Sequence, residues 1–262
     1  MGTQPLSPAA CELVADEVTP GSVGFVTALA SEARALTRRS LRVRTALPLE
    51  QGSVLWLSGM GQQAARDGAL ALIDAGVTAL VSFGVAGGLA PGLRSGTLFC
   101  PSCILDERSH DYQPDASWRA ALIRSLATTG LPFVNEGTLL SLPAPLLSVA
   151  EKGAMRERHQ ALAVDMESAA IAAVAGEYRI PFIVLRAIVD ERTDNVPAEL
   201  QTSIDAWGRP RAGRLILSVL RHPGLLAHLP GLAARMNKAT GALRTAAKVA
   251  GTDLARAARQ PC

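Results

Sequence analysis

Short apolar runs alternate with amphipathic stretches along most of the chain. Residues 22–30 (SVGFVTALA) have the length and composition of a buried strand, and residues 31–36 continue as a helix. A second apolar run at 53–58 (SVLWLS) stops at Gly59-Met60-Gly61. A helix is predicted over 62–74, with Ala65, Ala69, Leu72 and Ile73 along one face. Residues 77–83 form a third strand, closed by the glycine-rich turn 84–88, and residues 96–105 a fourth. A helix at 117–128, a strand and turn at 132–142, an alanine-rich helix at 164–178 and the very apolar strand 180–189 (IPFIVLRAIV) complete the alternation. Strands that are apolar on both faces belong in a sheet covered on both sides. The pattern therefore predicts an α/β layered sandwich around a largely parallel sheet. Residues 1–21, with three prolines and no periodicity, read as a loose arm. The helical patterns at 209–219, 223–235 and 239–258 do not continue the alternation. A soft boundary is drawn near Trp207, giving a body at 22–207 and a helical C-terminal extension at 208–262.

Composition narrows the class. With 262 residues, 48% apolar and 19% charged, the chain is long enough to bury a sizeable core and too apolar to be disordered. No membrane-spanning helix is expected. Aromatic residues make up only 4%, so the core is expected to be aliphatic. Four cysteines are too few and too scattered for a disulfide framework, and the start lacks the basic and apolar regions of a secretory signal. The expectation is a reduced, cytoplasmic setting. Charge is uneven: residues 208–262 hold ten Lys or Arg against Asp253, leaving residues 1–207 at net −6. A basic tail of this kind points to an anionic membrane surface, to nucleic acid, or to solubility alone. The tail's near-lack of aromatic residues for base stacking argues against nucleic acid.

The chemistry concentrates where strands end. Ligands of open α/β sheets lie beyond the carboxyl ends of the strands. Glu32 follows the first strand, the turn 84–88 follows the third, and Asp190 ends the last. G-x-x-G-G at 84–88 lacks the spacing of a dinucleotide fingerprint, and no P-loop Gly-Lys-Ser/Thr follows. Its glycines allow positive φ and let a ligand approach the backbone closely. Asp165 reads as a helix N-terminal acid. Glu167, heading an otherwise apolar helix, needs a partner if buried, and a pair of sugar hydroxyls is one. Asp190 closes ten apolar residues, an environment that raises a carboxyl pKa and suits proton donation. The plainer reading pairs it with backbone amides, Arg186 or Arg192. Cys100 and Cys103 have redox spacing but point to opposite faces of a strand, and no ligand set for zinc is evident. His110, in a polar loop with Asp111, reads as a surface residue or as part of a pocket mouth.

Taken together, GFVTALASEARAL, SGMG at 58–61, GVAGGL at 84–89, VDMESAAIA at 164–172 and LRAIVD at 185–190 resemble the purine nucleoside phosphorylase and 5′-methylthioadenosine/S-adenosylhomocysteine nucleosidase superfamily. The matched segments lie in order over about seven-tenths of the chain. The resemblance implies a three-layer α/β/α sandwich with a mixed central sheet, no metal and no cofactor. It implies that Asp190 protonates or hydrogen-bonds adenine N7, and that Glu32 activates a water. Glu167 holds the ribose hydroxyls, and Met166 packs on the sugar. Val85, Ala86 and Gly87 approach the nucleophile or ribose, and residues 141–146 line the base. Gly61 and His110 complete the expected substrate-binding set. The His110 loop often lies near the subunit interface of a homodimer.

Two departures matter. Val85 stands where relatives often carry Ser or Thr, and Ser82 stands where phosphorylases keep an arginine for phosphate, with Arg34 as a conceivable substitute. This favours water over phosphate as co-substrate, with phosphorolysis the alternative. The stretch RHPGLLAHLPGLAARM resembles the hopanoid-associated branch, which implies adenine release from adenosylhopane. Such a substrate has an apolar 5′ group and lies in a membrane. Leu225, Leu226, Leu229 and Leu232 then suit either a membrane surface or packing on the body, and the localisation becomes cytoplasmic or peripheral on the inner face of the cytoplasmic membrane. A soluble methylthioadenosine or adenosylhomocysteine nucleosidase and a silent nucleoside-binding protein are the rival readings.

Overall fold

In a computed structural model of the chain, residues 22–195, 205–209 and 225–254 are described. β1 (Val23–Thr27) runs parallel to β3 (Val54–Leu57) on one side and to β4 (Ala79–Gly88) on the other. β2 (Ala46–Pro48) adds an antiparallel edge to β3. β11 (Phe182–Asp190) pairs with β4 in parallel along nearly its whole length, with a register shift between Ile188 and Asp190. Near its end β4 also pairs antiparallel with β10 (Ala163–Asp165), which leads on to β9 (Thr138–Ser141), β6 (Cys103–Leu105) and β7 (Asp111–Tyr112). β5 (Leu98–Phe99) joins β11 to β8 (Phe133–Val134). The sheet is mixed, as the resemblance implied.

Two-residue alternation sorts the strands into two buried faces. On β11, Ile183, Leu185 and Ala187 face one core, and Phe182, Val184 and Ile188 face the other. The second core is closed by α2 (Gln62–Asp74), through Ala65, Ala69 and Leu72, and by α5 (Ser168–Tyr178). The first is closed by α1 (Ala30–Leu36), by α3 (Ala116–Leu126) and by α6 (Leu225–Ala250). Three layers result. The small residues Ala33, Ala65, Ala69, Ala239 and Ala246 are fully buried, which lets helices approach the sheet closely in a core poor in aromatics.

Several expectations are corrected. The predicted turn 84–88 is strand: β4 continues to Gly88 because β11 and β10 supply partners on both sides. The stretch 96–105 is two short strands rather than one, and the helix predicted from residue 164 begins at Ser168, after β10. α4 (Val149–His159), a polar helix, was not predicted. Its start is a capping box in which Ser148 Oγ accepts from Glu151 N, and Glu151 Oε2 accepts from Ser148 N. Within the described residues the patterns at 223–235 and 239–258 merge into one helix, Leu225–Ala250, that runs through Pro230 and ends before a turn at 251–254, whereas residues 1–21 and 210–219 lie outside the described residues. The C-terminal helix is built into the body: Ala239, Ala242, Leu243, Ala246 and Ala250 are core residues, and Leu229 and Leu232 are partly buried. Among the described residues no helix is long and apolar enough to cross a membrane.

Candidate active site

Glu32 sits in the first turn of α1, directly beyond β1, and is buried. Its Oε2 accepts from the backbone N–H groups of Ala28 (3.0 Å) and Leu29 (2.8 Å), and its Oε1 accepts from Val85 N (2.8 Å). Burial pushes its pKa up, opposed by the Arg186 charge and by these three N–H donors. Gly84 lies beneath it, and a β-carbon there would sit 2.5 Å from Glu32 Oε1 and still closer to Arg186 Nη1. The glycines of β4 therefore serve close approach. The freedom of Gly84, Gly87 and Gly88 to take positive φ is not used: none of the three is among the positive-φ residues.

Glu167 is the residue before α5 and is 7% exposed. Gly61, held at φ +99° at the start of α2, donates its N–H to Glu167 Oε1 at 2.8 Å. Desolvation, with Asp165 adding to it, pushes the Glu167 carboxyl up to about 7 against the pull of Arg186 and the Gly61 N–H. A carboxyl half-charged near neutrality, presented to a cavity, is suited to a pair of hydroxyl donors.

Asp190 ends β11, beside Gly87, whose β-carbon would lie 3.3 Å from both carboxylate oxygens. Its partner is neither Arg186 nor Arg192. Asp190 Oδ2 is ion-paired with Lys152 Nζ from α4, a lysine with no exposed surface. Burial pushes the Asp190 pKa up, and the Lys152 ammonium opposes this.

Arg186 occupies a position on β11 where alternation calls for an apolar residue. It pairs with Asp165 at 2.5 Å, and its Nη2 donates to Ser82 Oγ (2.7 Å) and Ser168 Oγ (3.0 Å). Burial alone would lower its pKa, but Asp165, Glu167 and Glu32 together outweigh this and raise it. Asp165 is thus the counter-ion of a buried guanidinium. It also meets the helix start as expected, by accepting from Ser168 N at 3.3 Å.

Glu32, Glu167 and Asp190 line one open cavity together with Met166, Val85, Ala86 and Gly87. Pro145 and Leu146, from the segment expected to line a base, form part of the wall, as do Leu29, Met60 and Val189. Gly61 reaches the cavity through its bond to Glu167. His110 does not line it: the ring bonds Asp106 at 3.0 Å in a separate surface depression with Gln62 and Tyr112. Arg34 is also elsewhere, donating to the carbonyls of Arg38 and Arg39. The described lining includes four carboxylates and no lysine or arginine. Cys100 and Cys103 are free thiols, Cys100 being buried and its pKa pushed up to about 12 by desolvation. Among the described residues no group of His, Cys, Asp or Glu is arranged to hold a metal ion.

A family model described as the phosphorylase superfamily matches residues 19–221, and the chain belongs to that superfamily. A 5′-methylthioadenosine/S-adenosylhomocysteine nucleosidase of Shewanella denitrificans is 26% identical over 61% of this chain and 77% of its own length. The nucleosidase of that name from Neisseria meningitidis, solved with methylthio-immucillin-A, superposes with a TM-score of 0.65 at 18% identity, covering 89% of this chain and 98% of its own. Futalosine hydrolase of Helicobacter pylori superposes at 0.61 and 17% identity, over 87% and 98% respectively.

Proposed function

We propose that this protein is a purine nucleosidase that hydrolyses the N-glycosidic bond of a 5′-substituted adenosine and releases adenine. The observation that carries the reading is the gathering of Glu32, Glu167 and Asp190, from three distant segments, around one cavity. Breaking an N-glycosidic bond puts positive charge on the ribose and negative charge on the base. A protonated carboxyl is needed at the base and ionised carboxylates beside the sugar. Asp190, with its raised pKa, donates a proton to adenine N7 as the bond's electron pair passes to the base. Glu167 accepts from the ribose hydroxyls, and Met166 packs on the sugar. Glu32, oriented by three backbone N–H groups, takes the proton of the water that adds to C1′.

Water is preferred to phosphate on electrostatic grounds. A phosphate would enter a cavity whose described lining includes four carboxylates and no cation, and Arg186 is already bound to Asp165, Ser82 and Ser168. Val85 offers no hydroxyl for such an anion.

The 5′ group is read as a large apolar one, adenosylhopane being the substrate that the C-terminal resemblance implies. Leu29, Met60, Pro145, Leu146 and Val189 in the cavity wall support an apolar substituent. The net +9 of residues 208–262 supports contact with an anionic membrane surface. A soluble methylthioadenosine/adenosylhomocysteine nucleosidase is the second reading, favoured by the names of the relatives above. The test is incubation with adenosylhopane, a 5′-alkyl adenosine, methylthioadenosine and adenosylhomocysteine, with and without phosphate, followed by mass analysis. Free adenine and free sugar without phosphate are expected. Sugar 1-phosphate formed only with phosphate defeats hydrolysis, and turnover of methylthioadenosine alone defeats the apolar 5′ group.

A further inference from the structure

The mechanism above gives no task to Lys152, although it is bonded to Asp190. Its side chain has no exposed surface, yet α4 is otherwise polar and largely solvent-facing. An ammonium taken out of water is costly unless each of its three donors finds an acceptor. Here all three do: Nζ is bonded to Asp190 Oδ2, to the carbonyl of Glu191 at 2.9 Å and to the carbonyl of Asp194 at 3.0 Å. The last two acceptors belong to the turn that follows β11. That turn is itself closed by Glu191 N donating to Asp194 Oδ2 at 2.8 Å. Asp190 Oδ1, by contrast, has no hydrogen bond to a described residue, and Asp190 is one of the residues lining the cavity.

A structural lysine needs no such placement. An apolar residue of the same length fills the space without the desolvation cost. What Lys152 supplies is a fixed positive charge on one oxygen of a carboxyl whose other oxygen is left for the ligand. We infer that Lys152 is a positioning residue for proton delivery: it fixes the Asp190 carboxyl and stabilises the carboxylate left once the Asp190 proton has passed to the leaving base. The inference rests on the nucleosidase reading. The step balances: the N7–H bond forms as the Asp190 O–H bond breaks, the glycosidic electron pair goes to the base, and the negative charge left on Asp190 faces Lys152. Once Asp190 has taken up the proton that it delivers, the benefit grows along the reaction coordinate, because Lys152 then meets a neutral carboxylic acid before transfer and restores its ion pair with the carboxylate after it.

The other charges around this pair are identifiable. Asp194 lies in the same turn, and Arg235 of α6 approaches Asp194 Oδ1 at 3.6 Å. Glu191 points away to Arg94 at 2.8 Å, and Arg192 lies over Gly153 of α4. Asp194 pushes the Asp190 pKa up and Arg235 pulls it down, both with less effect than Lys152. Lys152 is therefore the dominant cation acting on Asp190.

The test compares the full-length protein with Lys152→Met, which keeps the length and removes the charge, and with Lys152→Arg, which restores it. Removing a cation this close raises a carboxyl pKa by about 1–3 units. In ¹³C-aspartate-labelled protein, the Asp190 carboxyl resonance, assigned with Asp190→Asn, should titrate higher by that amount in K152M and return towards wild type in K152R. This readout needs no turnover, so it decides the coupling even if wild type releases no adenine, a result that would sink the nucleosidase reading alone. In kinetics, K152M should lose about 10²-fold in kcat, with KM little changed and the alkaline limb of the kcat profile moved to higher pH. Cleavage of 4-nitrophenyl riboside, whose leaving group departs without a proton, should stay near the wild-type rate. An unmoved Asp190 titration, or equal loss on both substrates, overturns the inference. Should K152M fail to fold, Lys152→Gln removes the charge while keeping a polar end, and the same readouts decide.

Discussion

Gly84 and Glu32 are in contact across β4 and α1, so close that a methyl group on Gly84 would lie 2.5 Å from Glu32 Oε1. The carboxylate rests on bare backbone, and Val85 N, the next donor along the strand, is thereby brought to 2.8 Å from the same oxygen. Glu32 is held from both sides, by β4 below and by the N–H groups of residues 28 and 29 behind.

Gly84→Ala is accordingly expected to displace Glu32, together with the Arg186 guanidinium whose Nη1 would lie closer still to the same β-carbon, while every ionisable residue keeps its identity. A misplacement on the order of 1 Å costs about 10²-fold in rate, so kcat/KM for adenine release should fall by that order. The check is steady-state kinetics beside a thermal melt. A variant that folds and turns over at the wild-type rate would show that Glu32 is not the group that orders the water.

The pKa of Glu167 predicts a pH dependence for binding. Its carboxyl is pushed up to about 7, and ribose hydroxyls donate to the ionised form. KM should therefore fall as pH rises through about 7, and Glu167→Gln should flatten that dependence. Stability runs the other way. The folded pKa is raised, so the folded state binds a proton that the unfolded chain has released between the ordinary value of 4.5 and about 7. That contribution is fully present below 4.5 and is lost as pH rises through about 7. Chemical denaturation of wild type and E167Q across this range measures it.

Much of this arrangement was legible in the chain because it follows from local rules. The apolar strands, the helix Gln62–Asp74 and the placing of Glu32 and Asp190 at strand ends all come from periodicity and the strand-end rule. Where the reading failed, a long-range partner decided. Residues 84–88 look like a turn in isolation, and only pairing with β10 and β11 makes them strand. Arg186 was visible as the single charge in IPFIVLRAIV, but its partner Asp165 lies on another strand. Lys152 carried no signal at all: it sits in a helix too polar to show an apolar face, and burial picks it out from its neighbours only once the helix is docked. The capping box at Ser148 and Glu151 was the clue to that helix.

Arg186 is expected to be structurally indispensable. It balances Asp165 directly and lowers the pKa of both Glu32 and Glu167. Arg186→Met leaves a buried carboxylate without its counter-ion, a loss of about 3–5 kcal/mol. Urea denaturation at pH 7 should show that loss, and it should shrink towards low pH as Glu32 and Glu167, whose charges Arg186 also offsets, take up protons. A cost that does not change with pH would mean that packing, not charge, is what Arg186 contributes.

The last prediction concerns the C-terminal helix, whose basic composition suited a surface element but whose inner face is core. Leu243 is fully buried, in the same cluster as Phe25, Leu185 and Trp118. Trp118 Nε1 donates to the carbonyl of Leu254 at 3.2 Å, and Ser53 Oγ donates to that of Thr252 at 2.6 Å, so the end of the helix is tied down at two points. Leu243→Ala removes a buried side chain from a site that neighbouring alanines cannot refill, and should cost about 2–5 kcal/mol. Lys248→Ala, five residues further along on an exposed position, should cost almost nothing. If membrane contact were the helix's whole purpose the order would reverse, with Lys248→Ala weakening vesicle binding and Leu243→Ala leaving the melting temperature unchanged. Thermal melts of the two variants, run beside vesicle sedimentation, separate the outcomes.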